Sequence, residues 1–203
     1  MTAPISLYYF NVPGRGEAIR IALVLGGIEF NDKHLTYQEL SASKFKYVPV
    51  LQINGTNYSQ STSLLRYVGT LVGLFPKDPL EALKVDEVVM TAEDLFIAIA
   101  ATMVIKDPEK KLEARKAAAE GKIKEVLETL EAKKSTSPSS KFFFGESITI
   151  ADLIIHAIVM SLECGELDGI PTTIVSDWAP SLKNIHIEVM ENPKVKEWYS
   201  SKN

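Results

Sequence analysis

Apolar positions in the first 75 residues fall into short runs of two kinds. Ile5 to Phe10 is short, apolar and aromatic, the pattern of a buried strand. Pro13 and Gly14 break it. From Arg15 to Leu25, Ala18, Ile19, Ala22, Leu23 and Leu25 recur at helical spacing, and Gly26-Gly27 stops the helix. A weaker strand follows at Phe30 to Leu35, and a short helix is expected before the clear strand Val48 to Ile53. Asn54-Gly55 then predicts a tight hairpin, with Asn57 to Ser59 as the returning strand. Ser61 reads as the N-cap of a helix carrying Leu64, Leu65, Val68, Leu71 and Val72. The order β-α-β-α-β-β-α predicts a small mixed sheet with helices packed against it.

Beyond this point the pattern changes. Pro76-Lys77-Asp78-Pro79 is a linker signal, and no strand is predicted after it. Long helical patterns occupy 81–106 and 109–133, and Ser135 to Ser140 reads as a loop. The apolar run from Leu95 to Ile105 is too short for a membrane span and is expected to be a buried helix face. Thr149 and Asp152 form a capping box opening another helix, with Ile148 and Leu153 as its hydrophobic staple. Helices are also expected over Ala179 to Met190 and after Asn192-Pro193. The expected division is an α/β domain over 1–75, a linker over 76–80 and an all-helical domain over 81–203.

Composition and charge narrow the chemistry. With 22 basic and 26 acidic residues the net charge is −4, which disfavours nucleic acid or an anionic membrane as the main partner. The first residues lack the basic-then-apolar pattern of a secretory signal, and the single Cys164 cannot form an internal disulfide. A cytoplasmic setting is expected. His34, His156 and His186 lack metal-ligand spacing, so no metal is expected. No G-x-S-x-G elbow, P-loop or dinucleotide fingerprint is present. Cys164, late in an apolar helix, reads as a core residue.

The stretch Leu7-Tyr8-Tyr9-Phe10-Asn11-Val12-Pro13-Gly14-Arg15-Gly16-Glu17, the strand opening Val48-Pro49-Val50, and Ser59-Gln60-Ser61 before a helix together resemble the cytosolic glutathione transferases. The resemblance covers the whole chain and is nearest to the sigma class among the tyrosine types. It implies a thioredoxin-like first domain, an all-helical second domain, and glutathione as co-substrate with no other cofactor. It places on Tyr9, not Tyr8, the role of hydrogen-bond donor to the glutathione sulfur. Making a thiol of pKa about 8.5 mostly thiolate at neutral pH takes about two units, or about 2.7 kcal/mol. A hydrogen bond to a charged group supplies about 1.5–3 kcal/mol and a helix N-terminus about 0.3–1 more. The resemblance further implies a cis peptide before Pro49, with the Val48 backbone pairing the cysteinyl unit. Gln60 and Ser61 would meet the γ-glutamyl carboxylate at a helix N-terminus, Arg15 would add charge, and Asp94 would reach the glutathione amino group from a partner subunit.

The second substrate, a hydrophobic electrophile, is expected between Tyr9, Val12, Pro13 and a helical wall including Ala98 and Thr102. The segment 35–47 is several residues shorter than the family pattern and lacks its tryptophan; either Lys44 or Lys46 takes the place of the usual lysine at the glycyl end. The implied activity is conjugation, with hydroperoxide reduction or an isomerase reaction as further capacities, in a homodimer engaged in detoxification. The alternative is a non-catalytic binding or structural relative.

Overall fold

The computed structural model describes residues 5–137 and 141–202. Four strands form one sheet in the order β2-β1-β3-β4: β1 (Ile5–Tyr9), β2 (Phe30–His34), β3 (Val50–Ile53) and β4 (Thr56–Ser59). β1 is parallel to β2 and antiparallel to β3, which is antiparallel to β4. The hairpin between β3 and β4 turns at Asn54 and Gly55, both at positive φ (51° and 78°), the backbone that matches the twist of the flanking strands. β3 starts two residues later than its apolar run because Pro49 has no N–H to donate to a ladder.

Helix α1 (Gly14–Leu25) connects the parallel strands. It ends where two glycines predicted: Ile28 N–H bonds Leu23 C=O and Gly27 N–H bonds Val24 C=O, with Gly27 at φ +64°. Helix α2 (Tyr37–Ala42) buries none of its residues and is held by a capping box between Thr36 and Glu39. Helix α3 (Ser61–Leu71) follows β4.

Among the described residues the rest is helical: α4 (Pro79–Met103), α5 (Pro108–Ala118), α6 (Lys124–Ser135), α7 (Ile150–Glu163), α8 (Ile174–Trp178), α9 (Pro180–Met190) and α10 (Pro193–Ser200). None of these helices is long and apolar enough to cross a membrane. The helix α4 starts at Pro79, within the expected linker, because the Asp78 carboxylate takes the N–H groups of Leu80 and Glu81. The single pattern over 109–133 is broken: a wide π-turn at Ala119–Ile123 separates α5 from α6, centred on Gly121, whose φ/ψ of −105°/−106° is non-helical. The expected loop at Ser135 to Ser140 begins after α6, and its positions 138–140 lie outside the described residues.

One contiguous apolar core runs through both halves of the chain. Helix α7 is its axis, buried along nearly its whole length and packed on α1, α4 and α9. Asp152, fully buried, accepts the Thr149 N–H and the Phe143 N–H, each at 2.7 Å. The predicted cap thus has a second task, holding the segment before α7. Ile148 and Leu153 both lie in or against the core.

The apolar run at 95–105 is only partly the buried face expected. Leu95 and Phe96 are buried, but Ile97, Met103 and Val104 are exposed. Leu83, Met90 and Ile97 form an exposed stripe at seven-residue spacing, and Tyr67 and Leu71 are exposed on α3. Cys164 is also exposed rather than buried, because it caps the C-terminus of α7 where the chain leaves the core.

Candidate active site

The strand registers place the site. β1 and β3 pair Tyr8 with Val50, and β3 and β4 pair Val50 with Ser59. Carried two residues on, these registers set Val48 level with Phe10 on one side and with Ser61 on the other. The end of β1, the Val48-Pro49 peptide and the start of α3 therefore meet at one end of the sheet. The Val48-Pro49 peptide is cis, and no described backbone group bonds the Val48 N–H or C=O.

Alternation separates the two tyrosines as the sequence predicts. Tyr8 packs against Phe45, ring centroids 4.9 Å apart, while Tyr9 is buried against α1. Two glycines make room for the Tyr9 ring. A Cβ at Gly14 would lie 2.4 Å from Tyr9 Oη, and one at Gly16 would lie 2.4 Å from Tyr9 Cδ1. Gly14 also sits at φ +47°, a conformation that glycine adopts without strain.

The Tyr9 hydroxyl accepts the Arg15 N–H at 3.1 Å, at the first turn of α1. Its own proton has no acceptor among the described residues. Burial raises the Tyr9 pKa, against the opposing pull of the Arg15 N–H and of the Arg15 and Arg20 charges. At neutral pH the group is a protonated phenol with a hydrogen to give.

Two contacts pin this turn to the helical half. Gly14 N–H donates to Ser161 Oγ on α7 at 3.0 Å, and Arg15 Nε donates to Glu93 Oε1 on α4 at 2.6 Å. The Arg15 guanidinium lies 5.7 Å from the Phe96 ring centre. The charge of Arg15 is thus joined to Glu93. Neither Glu93 nor Ser161 carries a local sequence signal, since their partners lie 78 and 147 residues away.

Ser61 is not the N-cap. Gln60, at φ +80°, takes that position, its carbonyl accepting the Leu64 N–H, and Ser61 is the first residue inside the helix. A non-glycine residue there costs about 1–3 kcal/mol. The consequence is that no side chain caps α3, leaving its first-turn N–H groups and dipole available to an anion.

The other expected residues are more dispersed. Lys44 and Lys46 are both exposed on the loop after α2, and the geometry favours neither. Tyr37 at the start of α2 packs on Phe10, ring centroids 4.6 Å apart. Val12 is exposed, Pro13 and Ala98 are half-buried, but Thr102 is buried with its hydroxyl donated to the Ile99 carbonyl. Thr102 therefore offers no exposed surface to the expected wall. Asp94 is exposed on α4, 3.6 Å from Lys122 Nζ of the same chain.

This arrangement has close counterparts. Residues 93–202 match the family model "Glutathione S-transferase, C-terminal domain". Glutathione S-transferase 3 of Caenorhabditis elegans is 30% identical over 203 residues, covering 97% of this chain and 95% of the relative. The chain belongs to the glutathione S-transferase family. Solved structures agree on the fold of such a transferase. Prostaglandin synthase D of Nilaparvata lugens superposes with a TM-score of 0.85 at 22% identity, covering 98% of each chain. Monomeric Na-GST-3 of Necator americanus gives 0.76 at 25% identity, covering 99% of this chain and 98% of that one.

Proposed function

We propose that this transferase binds glutathione at the end of the sheet and uses Tyr9 to hold the sulfur as a thiolate for attack on hydrophobic electrophiles. The observation that carries the reading is the buried Tyr9 phenol, which accepts an N–H from α1 and keeps its own proton unengaged. Val48, level with Phe10 at the same end of the sheet, has an N–H and a C=O that no described backbone group bonds, and the uncapped start of α3 suits the γ-glutamyl carboxylate. Lys44 or Lys46 would serve the glycyl carboxylate. The half-buried Pro13 and Ala98 and the exposed Val12 would face the second substrate. Hydroperoxide reduction or isomerisation would use the same thiolate. A cytoplasmic setting and a role in detoxification complete the reading.

The test is turnover of a generic aryl halide with glutathione, together with the thermal midpoint. Glutathione at about 100 times its Kd stabilises the native state by about 2.7 kcal/mol, which for a chain of this length raises Tm by roughly 5–10 °C. Binding without turnover would select the non-catalytic alternative. No shift at saturating glutathione would remove the site altogether.

We also propose a homodimer formed through the exposed stripe of Leu83, Met90 and Ile97. An apolar seam at seven-residue spacing suits a second helix, and Asp94, exposed on the same helix, would reach the partner's glutathione. Light scattering should give twice the chain's 22.4 kDa. Ile97→Glu should yield monomers with weakened glutathione binding; a fully active monomer would discard the role of Asp94.

A further inference from the structure

Beneath the Tyr9 turn lies a chain of polar groups that runs to the C-terminal helix. Arg20, buried on α1, spends its guanidinium on four groups. Its Nε meets both Asp32 oxygens at 3.0 Å, and Nη1 bonds Glu17 Oε2 at 2.9 Å. The remaining donors go to the turn itself: Nη1 to Val12 C=O at 3.0 Å and Nη2 to Phe10 C=O at 2.9 Å. The guanidinium also lies 5.6 Å from the Tyr9 ring centre. The turn after Tyr9 is therefore held on its carbonyl side by Arg20, while Ser161 and Tyr9 take the N–H groups of Gly14 and Arg15.

Arg20 is itself held from behind. Glu17 Oε1 accepts the Tyr199 hydroxyl at 2.5 Å, and Tyr199 Oη is 2.9 Å from His156 Nε2 on α7. Burial and the Glu17 charge push the Tyr199 phenol up, so it remains the donor to Glu17. Burial lowers the His156 pKa to about 3, so His156 is neutral and its Nε2–H donates to Tyr199. Asp32 also takes Lys202 Nζ at 2.7 Å and faces His34 Nε2 at 3.1 Å.

We infer that Arg20 is a positioning residue for the Tyr9 turn, and that Tyr199 on α10, acting through Glu17, helps to set the ionisation of the bound thiol. The inference rests on the reading of Tyr9 given above. Lysine could not replace Arg20, because a compact ammonium cannot present a planar fork to two carbonyls and two carboxylates together.

The experiment follows the thiolate absorbance of bound glutathione against pH, with kcat and KM measured beside it, in Arg20→Lys, Tyr199→Phe, Lys194→Met and Tyr9→Phe. Lys194 ties α10 to the Leu25 carbonyl outside the polar chain, so it reports helix docking alone. Arg20→Lys and Tyr199→Phe should raise the apparent thiol pKa by about half a unit to one unit. They should lower kcat about three- to tenfold at neutral pH while KM for glutathione stays within about threefold. Lys194→Met should lower Tm and leave the pKa in place. Tyr199→Phe removes only a hydroxyl and carries the test if Arg20→Lys fails to fold. An unmoved pKa in the network variants, with Tyr9→Phe shifting it, overturns the inference alone. An equal shift in Lys194→Met also overturns it. An unmoved pKa in Tyr9→Phe removes the Tyr9 reading and this inference with it.

Discussion

Tyr9→Phe is expected to lower turnover about 10- to 150-fold at neutral pH while leaving glutathione affinity within a few-fold. The range follows from the loss of a hydrogen bond to a charged sulfur, about 1.5–3 kcal/mol. Burial keeps the Tyr9 phenol protonated, so the wild-type hydroxyl donates throughout the neutral range. That donation favours the ionised thiol and depresses its pKa. Without it the thiol pKa should rise by about one to two units, and activity should recover in part as pH increases. Affinity should change little, because the proposed tripeptide contacts are spread over Val48, the start of α3 and Arg15. Tyr8→Phe is the control, since its ring lies against Phe45 on the other face of the sheet. Damage from Tyr8→Phe with a silent Tyr9→Phe would reverse the assignment.

A large loss of stability is expected at Asp152. Asp152→Ala removes the capping-box acceptor of the Thr149 N–H, about 1 kcal/mol, and strands the buried Phe143 N–H, about 1–3 kcal/mol more. A total of about 2–4 kcal/mol corresponds to a fall in Tm of roughly 5–15 °C in a chain of this length. Calorimetry checks it. Asp152→Asn, which keeps an acceptor oxygen, should lose less. Equal Tm for wild type and Asp152→Ala would show that the buried carboxylate contributes nothing net.

The elements that bury a periodic face were legible in the sequence: β1, α1, α3, α7 and α9 stand within a few residues of their apolar patterns. Glycine and proline punctuation placed the hairpin at Asn54-Gly55 and the end of α1. Helix α8 was missed because five residues are too few to display a helical period. Helix α2 has no buried face at all; its true signal was Thr36 with Glu39 three residues on. The N-cap of α3 was misread because Ser61 is a good capping residue, whereas the backbone at Gln60 adopts a positive φ that residue type does not announce. Within the site, Tyr9, Val48 and the start of α3 were adjacent in pattern and in register. Glu93, Ser161 and Tyr199 were not, because they act through contacts between segments far apart in the chain; Arg20, whose partners lie within 12 residues, was hidden because its side chain folds back on a turn whose shape the pattern does not show.

The hydrogen bond from Tyr199 to Glu17 spans 182 residues. The frame behind the Tyr9 phenol therefore exists only in the folded state. A local opening that lifts α10 breaks this bond and frees Tyr199 from His156, leaving Glu17 and Arg20 to hold the turn without support from behind.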